Sequence, residues 1–131
     1  MAITYFAPLM LDDYKLRHPE QYPKNTQEVY ANMTARSGNH SNIPGSKGII
    51  FAGSQMFNID YLVNDWNNHF FYRDKSEVME EYSIDSGLHL SKLGHIAALH
   101  DMGYLPLQIK ALPEGSFVPY GVPFLTIRNT D

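Results

Sequence analysis

The chain has 131 residues, 44% of them hydrophobic and 13% aromatic, which suits a single domain with a real core. Its formal net charge is -4 and its Lys and Arg residues are scattered, so it carries neither the basic stripe of a nucleic-acid binder nor a polybasic membrane patch. It has no cysteine, which excludes disulfides, thiolate catalysis and cysteine-ligated zinc and is compatible with a reducing cytosol.

Met1 to Leu11 is apolar but short and lacks a basic n-region, making it a poor signal peptide. No apolar run approaches the roughly 20 residues that span a bilayer. These features predict a soluble, cytoplasmic protein. Asp12 or Asp13 can cap a short helix over the segment that runs to His18, because a carboxylate accepts from the free N–H groups of a first turn. Pro19 and Pro23 then punctuate the chain. Thr26 to Arg36 reads as a strand, with Val29, Ala31, Met33 and Ala35 alternating with Tyr30, Asn32 and Thr34. Ser37 to Lys47 is a loop by composition, expected to be mobile and disordered without ligand.

Gly48 to Gly53 reads as a short buried strand stopped by glycine. Helical periodicity comes next: Ile59, Leu62, Val63, Trp66 and Phe70 make a core-facing stripe, with Ser54 as its N-cap. A second helix is expected from Ser76, capped by that hydroxyl and burying Val78, Met79 and Tyr82. A third runs from Ser91 through Leu93, Ile96, Ala97 and His100 to a glycine cap at Gly103. Leu107, Ile109 and Ala111 then alternate as a strand. Pro113-Glu114-Gly115 and Pro119-Tyr120-Gly121 are turns, and Phe124 to Arg128 is the closing strand. The order strand, strand, helices, strand, strand predicts an α+β class: a small mixed or antiparallel sheet with about three helices. A closing strand this apolar is expected to be flanked by more structure, as in a truncated or split polypeptide, although a naturally terminal strand accounts for it equally well.

The six histidines (His18, His40, His69, His89, His95, His100) show no ligand spacing, which favours surface or capping roles over a metal site. Gly45-Ser46-Lys47-Gly48 lacks the spacing of a phosphate loop and reads as a turn. No nucleophile elbow or Ser/His/Asp arrangement is recognisable. Asp12-Asp13-Tyr14-Lys15 leaves two readings open. Tyr14 packs inward beneath a capped surface helix, or it offers a flat face to a planar ligand. Arg36 is either a solvated strand end or a phosphate contact, since its guanidinium fork matches phosphate oxygens. Lys110, Glu114 and Arg128 read as solvated or paired surface charges.

Taken in order, Asp12-Asp13-Tyr14-Lys15-x-x-His18, Gln21-Tyr22-Pro23-x-Asn25-Thr26 and Val29-Tyr30 resemble the N-terminus of nicotinamide phosphoribosyltransferases. The family usually shows Asp-Ser-Tyr-Lys, and Asp13 replaces the serine. Phe51-Ala52-Gly53-Ser54-Gln55 resembles its strand-to-helix corner. Leu105-Pro-x-x-Ile109-Lys-Ala-x-Pro113-Glu-Gly115 and Thr126-x-x-Asn129-Thr-Asp131 are similar to its next landmarks.

The resemblance implies that residues 1–131 are the N-terminal domain of a type II phosphoribosyltransferase, roughly its first quarter, with the catalytic barrel outside this chain. The implied reaction joins nicotinamide to phosphoribosyl pyrophosphate, giving nicotinamide mononucleotide and pyrophosphate in NAD salvage. Magnesium, bound with phosphoribosyl pyrophosphate, would neutralise the leaving group. By the same resemblance Tyr14 stacks on nicotinamide bound mainly by the other subunit of a homodimer. Arg36 contacts phosphate, and Asp12 and Lys15 support the Tyr14 segment. The barrel, on this chain's continuation or on a second polypeptide, is expected to supply the catalytic residues, so these residues alone are not expected to be competent. Two alternatives stay open: a non-catalytic interaction or dimerisation domain, and nicotinate rather than nicotinamide as the base. Lys15 stands where the nicotinate enzymes carry Gln, which tips the reading toward nicotinamide.

Overall fold

The computed structural model describes residues 6–131, so the apolar lead falls partly outside the described residues. In chain order the strands and α-helical segments are β1 Tyr30–Thr34, β2 Gly48–Ile50, α1 Ser54–Phe57, α2 Lys75–Ser86, α3 Gly94–Met102, β3 Leu107–Ala111, β4 Phe117–Pro119 and β5 Pro123–Asn129. Three-ten turns lie at Ala7–Leu9, Asp13–Glu20 and Leu90–Lys92, and π-helical turns at Asn58–Asp65 and Asn67–Phe71. This is the expected α+β class, with antiparallel pairing throughout. The chain forms two compact units, each assembled from two separated segments. The first is Met1–Lys24 with Met56–Leu105, and the second is Asn25–Gln55 with Pro106–Asp131. Among the described residues no helix is long and apolar enough to cross a membrane.

The first unit buries Ala7, Phe70, Val78, Tyr82 and Leu93. The spacing of Ile59, Leu62, Val63, Trp66 and Phe70 predicts one buried α-helical face, and the structure corrects this. Most of the segment winds as π-helix, whose hydrogen bonds span one residue more than those of an α-helix. The wider turn takes side chains three and four apart off a common face. Phe70 is fully buried, Leu62 and Trp66 are half-buried, and Ile59 and Val63 are exposed. Phe70 meets Trp66, Phe71 and His100 edge to face, with ring centroids 5.3, 5.0 and 5.2 Å away. That geometry sets the positive ring edge of one partner against the negative face of the other. α3 ends at Gly103, whose backbone is left-handed at φ 78° as a helix-terminating glycine requires.

The expected cap of α2 also moves. Asp74, not Ser76, holds the N-cap: its carboxylate accepts from the Ser76 and Glu77 N–H groups at 2.8 and 3.3 Å, and the Ser76 hydroxyl donates to it as well. The Ser76 hydroxyl first, and then the two N–H groups, hold the Asp74 carboxyl below its ordinary value of 3.8. A depressed value in the folded state means stabilisation that is complete above the ordinary value and lost as pH falls through the folded one. Asp74→Ala is therefore expected to lower the melting temperature by a few degrees at pH 7, with the gap from the parent protein closing in acid. Melting curves from pH 7 down through the acid range check this, and a gap that stays constant to the lowest pH at which the protein folds would remove the cap as its cause.

The second unit holds a three-stranded sheet in the order β1-β5-β3 and a two-stranded one pairing β2 with β4. Its core is Phe51, Val118, Phe124 and Leu125, flanked by Ala35, Ile49, Ile109 and Ile127. The apolarity of the closing strand is accounted for here. β5 is the central strand, bonded on both edges, and Phe124 and Leu125 fill the core. The strand expected over Thr26 to Arg36 contracts to β1, and β4 is an element that sequence reasoning places only within a turn region.

Candidate functional site

The segment that carries Tyr14 is the 3₁₀ helix Asp13–Glu20, which contains Pro19 and buries none of its residues. Tyr14 does not pack inward, and it is 61% exposed. Its ring lies 5.6 Å from the His18 ring at 59°, and the Lys15 ammonium stands 5.8 Å from its centroid. Asp12 flanks the segment and pairs with Lys15 at 3.4 Å. Both partners are well exposed, so the pair steers the ammonium more than it stabilises the fold. The structure thus gathers Asp12, Tyr14 and Lys15 around one accessible aromatic face. A face of this kind can stack on a second flat ring, and a neighbouring cation suits a ligand with partial negative charge.

The same segment helps line a cavity of about 210 Å³ with Leu16, Arg17, Pro19 and Glu20, closed by Leu88, Lys92 and His95. Glu20 and Lys92 pair across it at 3.2 Å. Burial holds the His95 imidazole below its ordinary value, only partly offset by hydrogen bonding to the Lys92 backbone. The cavity falls below the roughly 300–1,000 Å³ of ordinary ligand sites.

In the second unit Arg36 lies two residues past the end of β1. It is exposed and has no ion-pair partner among the described residues. The loop after it, read as a loop from its composition, contains turns of its own. Ser41 N–H donates to the Gly38 carbonyl at 2.9 Å, Ile43 N–H to the Ser41 hydroxyl at 3.1 Å, and Ser46 N–H to the Ile43 carbonyl at 3.3 Å. Gly45 turns the chain with φ 71°, in keeping with the turn reading. Tyr14 belongs to the first unit and Arg36 to the second.

The corner Phe51-Ala52-Gly53-Ser54-Gln55 is built around Glu114. Sequence reasoning makes Ser54 the N-cap of its own helix. Its hydroxyl instead donates to the Glu114 carboxylate at 3.1 Å, and the Gln55 N–H donates to the same oxygen at 2.8 Å. Glu114 therefore caps α1 from a turn 60 residues further along the chain. The Gln55 N–H, and next the Gly53 backbone, hold its carboxyl below the ordinary value. Negative charge at a helix start is favoured by the aligned peptide dipoles, so a surface-charge reading of Glu114 is incomplete. Arg128 does pair, donating to Gln108 at 2.9 Å and standing 3.7 Å from Glu28.

Asn129, in the sequence no more than part of a landmark, has a physical role. Its side chain accepts from the Val29 N–H at 2.7 Å and donates to the Gln27 and Asp131 carbonyls at 2.8 and 2.9 Å. An amide offers both acceptor and donors, which a carboxylate in that place could not. The signal in the sequence is a lone amide at the end of an apolar strand, but nothing local names its partners. Magnesium, which the resemblance implies, finds no group of three His, Asp or Glu side chains among the described residues.

The family model described as nicotinamide phosphoribosyltransferase, N-terminal domain, matches residues 7–109. A nicotinamide phosphoribosyltransferase of Acinetobacter baylyi is 46% identical to the chain over 126 residues, which take in 92% of this chain and 25% of the relative. The chain thus spans about a quarter of the length of that curated relative.

Proposed function

The chain belongs to the nicotinamide phosphoribosyltransferase family, and from that premise we propose that it works as the N-terminal part of an enzyme transferring phosphoribosyl from phosphoribosyl pyrophosphate to nicotinamide. The products are nicotinamide mononucleotide and pyrophosphate, as in NAD salvage in the cytoplasm. The barrel that completes the site comes from the rest of the polypeptide or from a second one, and the assembled enzyme is a homodimer. Magnesium enters with phosphoribosyl pyrophosphate and is held outside these residues.

The observation that carries the reading is the exposed Tyr14 ring on a segment that buries nothing. A tyrosine left uncovered in its own unit, with Lys15 and Asp12 beside it, suits stacking on a pyridine ring supplied with another part of the enzyme. Arg36, exposed and without an ion-pair partner among the described residues, suits phosphate oxygens. The deciding assay measures nicotinamide mononucleotide formed from nicotinamide, phosphoribosyl pyrophosphate and magnesium, by the chain alone and with the barrel-bearing polypeptide. Activity only in the second case is expected. Activity of the chain alone would overturn the need for the barrel, and silence in both would remove the reaction. Nicotinate in place of nicotinamide tests the base in the same assay.

In the completed enzyme Tyr14→Ala is expected to lower kcat/KM for nicotinamide about fivefold, the worth of one aromatic stack. Tyr14→Phe keeps the ring and the rate. Because Tyr14 is 61% exposed, the melting temperature stays unchanged. Equal kcat/KM in the alanine variant would remove the stacking role.

A second reading, an interaction domain without catalysis, is favoured by the exposed Met56, Phe57, Ile59 and Val63 on one continuous helical stretch. Self-association of the chain alone, measured by sedimentation and abolished by Val63→Lys, would support it.

A further inference from the structure

We propose that Tyr120 is a positioning residue for Arg36, and this rests on the assignment of Arg36 to phosphate binding. Arg36 has no ion-pair partner of its own among the described residues, so its aim depends on the backbone that carries it. A long guanidinium side chain on an unplaced backbone would lose much of its binding free energy to ordering.

The turn Pro119-Tyr120-Gly121 grips that backbone on both sides of Arg36. Before it, the Gly121 N–H donates to the Ala35 carbonyl at 2.8 Å. After it, Gly38 lies so close to the Tyr120 side chain that an added Cβ would sit 3.0 Å from both the ring carbon Cε2 and the hydroxyl oxygen. At the far end of the loop the Tyr120 N–H donates to the Lys47 carbonyl at 3.3 Å. Its hydroxyl lies 2.7 Å from the Ser46 hydroxyl, which in turn donates to the Gly48 carbonyl at 3.0 Å. With the single Ser46 proton spent on Gly48, the Tyr120 phenol is the donor of the pair. Within Ser37–Lys47 only Gly38 and Ser46 are partly covered, and both touch Tyr120. One residue thus closes the loop into a ring, with Arg36 at its entrance.

The test uses the barrel-completed enzyme in parent, Tyr120→Phe, Arg36→Ala and doubly substituted forms. Tyr120→Phe keeps the ring against Gly38 and removes the hydroxyl alone. It is expected to raise KM for phosphoribosyl pyrophosphate about three- to tenfold, the scale of one lost hydrogen bond. KM for nicotinamide stays as in the parent, and the melting temperature falls by no more than a few degrees. Amide hydrogen exchange over residues 37–47 quickens. In the Arg36→Ala background Tyr120→Phe adds nothing, because the residue it positions is gone.

Multiplying effects in the double variant would overturn the proposal by showing that Tyr120 acts apart from Arg36. So would an unchanged KM for phosphoribosyl pyrophosphate in Tyr120→Phe while Arg36→Ala raises it, an outcome that leaves the Arg36 assignment standing. If Arg36→Ala itself leaves phosphoribosyl pyrophosphate use intact, the assignment falls, and the positioning role falls with it.

Discussion

Phe70→Ala is expected to cost about 3–5 kcal/mol of folding stability, the largest effect of a single replacement in the first unit. The side chain has 0% exposure, so its whole transfer term is at stake. The cavity left behind also strips Trp66, Phe71 and His100 of the ring each of them meets. His100 makes relaxation harder. Its imidazole is anchored to the Arg73 carbonyl at 3.1 Å, so it cannot turn into the space without breaking that bond. Urea titration of the parent and variant proteins reads the loss directly. A difference below about 1 kcal/mol would mean that the π-helical segment collapses onto the gap and is softer than its packing implies. Phe70→Leu keeps most of the volume and is expected to fall well short of the alanine loss.

Gly48→Ala is the second large effect, and it works through backbone instead of a cavity. Gly48 pairs with Pro119 across the two-stranded sheet. A Cβ at Gly48 would collide with the Val118 carbonyl and stand 2.9 Å from the end of the Phe117 ring. The carbonyl cannot rotate away, because Val118 is 1% exposed in the core of the second unit. Relief requires β2 and β4 to part, which costs about 1–3 kcal/mol by the usual measure of overpacking. The damage should stay local. Hydrogen exchange should quicken first at Phe51 and Gly115, whose amides bond the Ser116 and Phe51 carbonyls at 2.9 and 2.7 Å. Uniform quickening over β1, β3 and β5 would contradict a local mechanism.

Most of the elements are legible in the sequence because period and punctuation act locally. The alternation at Leu107 to Ala111, the glycine at Gly103 and the apolar run at Phe124 each fix a short stretch by sterics or burial alone. Partners chosen by the fold are not legible. Asp74 rather than Ser76 caps α2, since both residue types suit that place and only the path of the preceding turn decides. Glu114 looks like a surface charge because the helix it caps begins 60 residues away. Composition marks the segment after Arg36 as a loop, and the ring that holds it belongs to a turn 74 residues beyond Ser46. The π winding has no sequence signal, because the apolar spacing of that segment satisfies an α-helix equally well. The Tyr14 segment is half legible. Its residue types allow either an inward or an outward ring, and the structure puts it outward.

The sheet order has a consequence in time. Among the described residues β1 pairs with β5 alone, and the Val29 N–H reaches an acceptor 100 residues later. On a ribosome adding roughly 5–20 residues per second, β1 waits about 5–20 s for the strand that completes it. Throughout that interval Tyr30 and Met33, still exposed in the finished unit, sit on an unpaired strand. The second unit cannot nucleate around its own sheet until synthesis passes Asn129, whereas the segments of the first unit are already in hand by Leu105. Nascent-chain folding should therefore run in that order, with the Arg36 loop among the last parts to take shape.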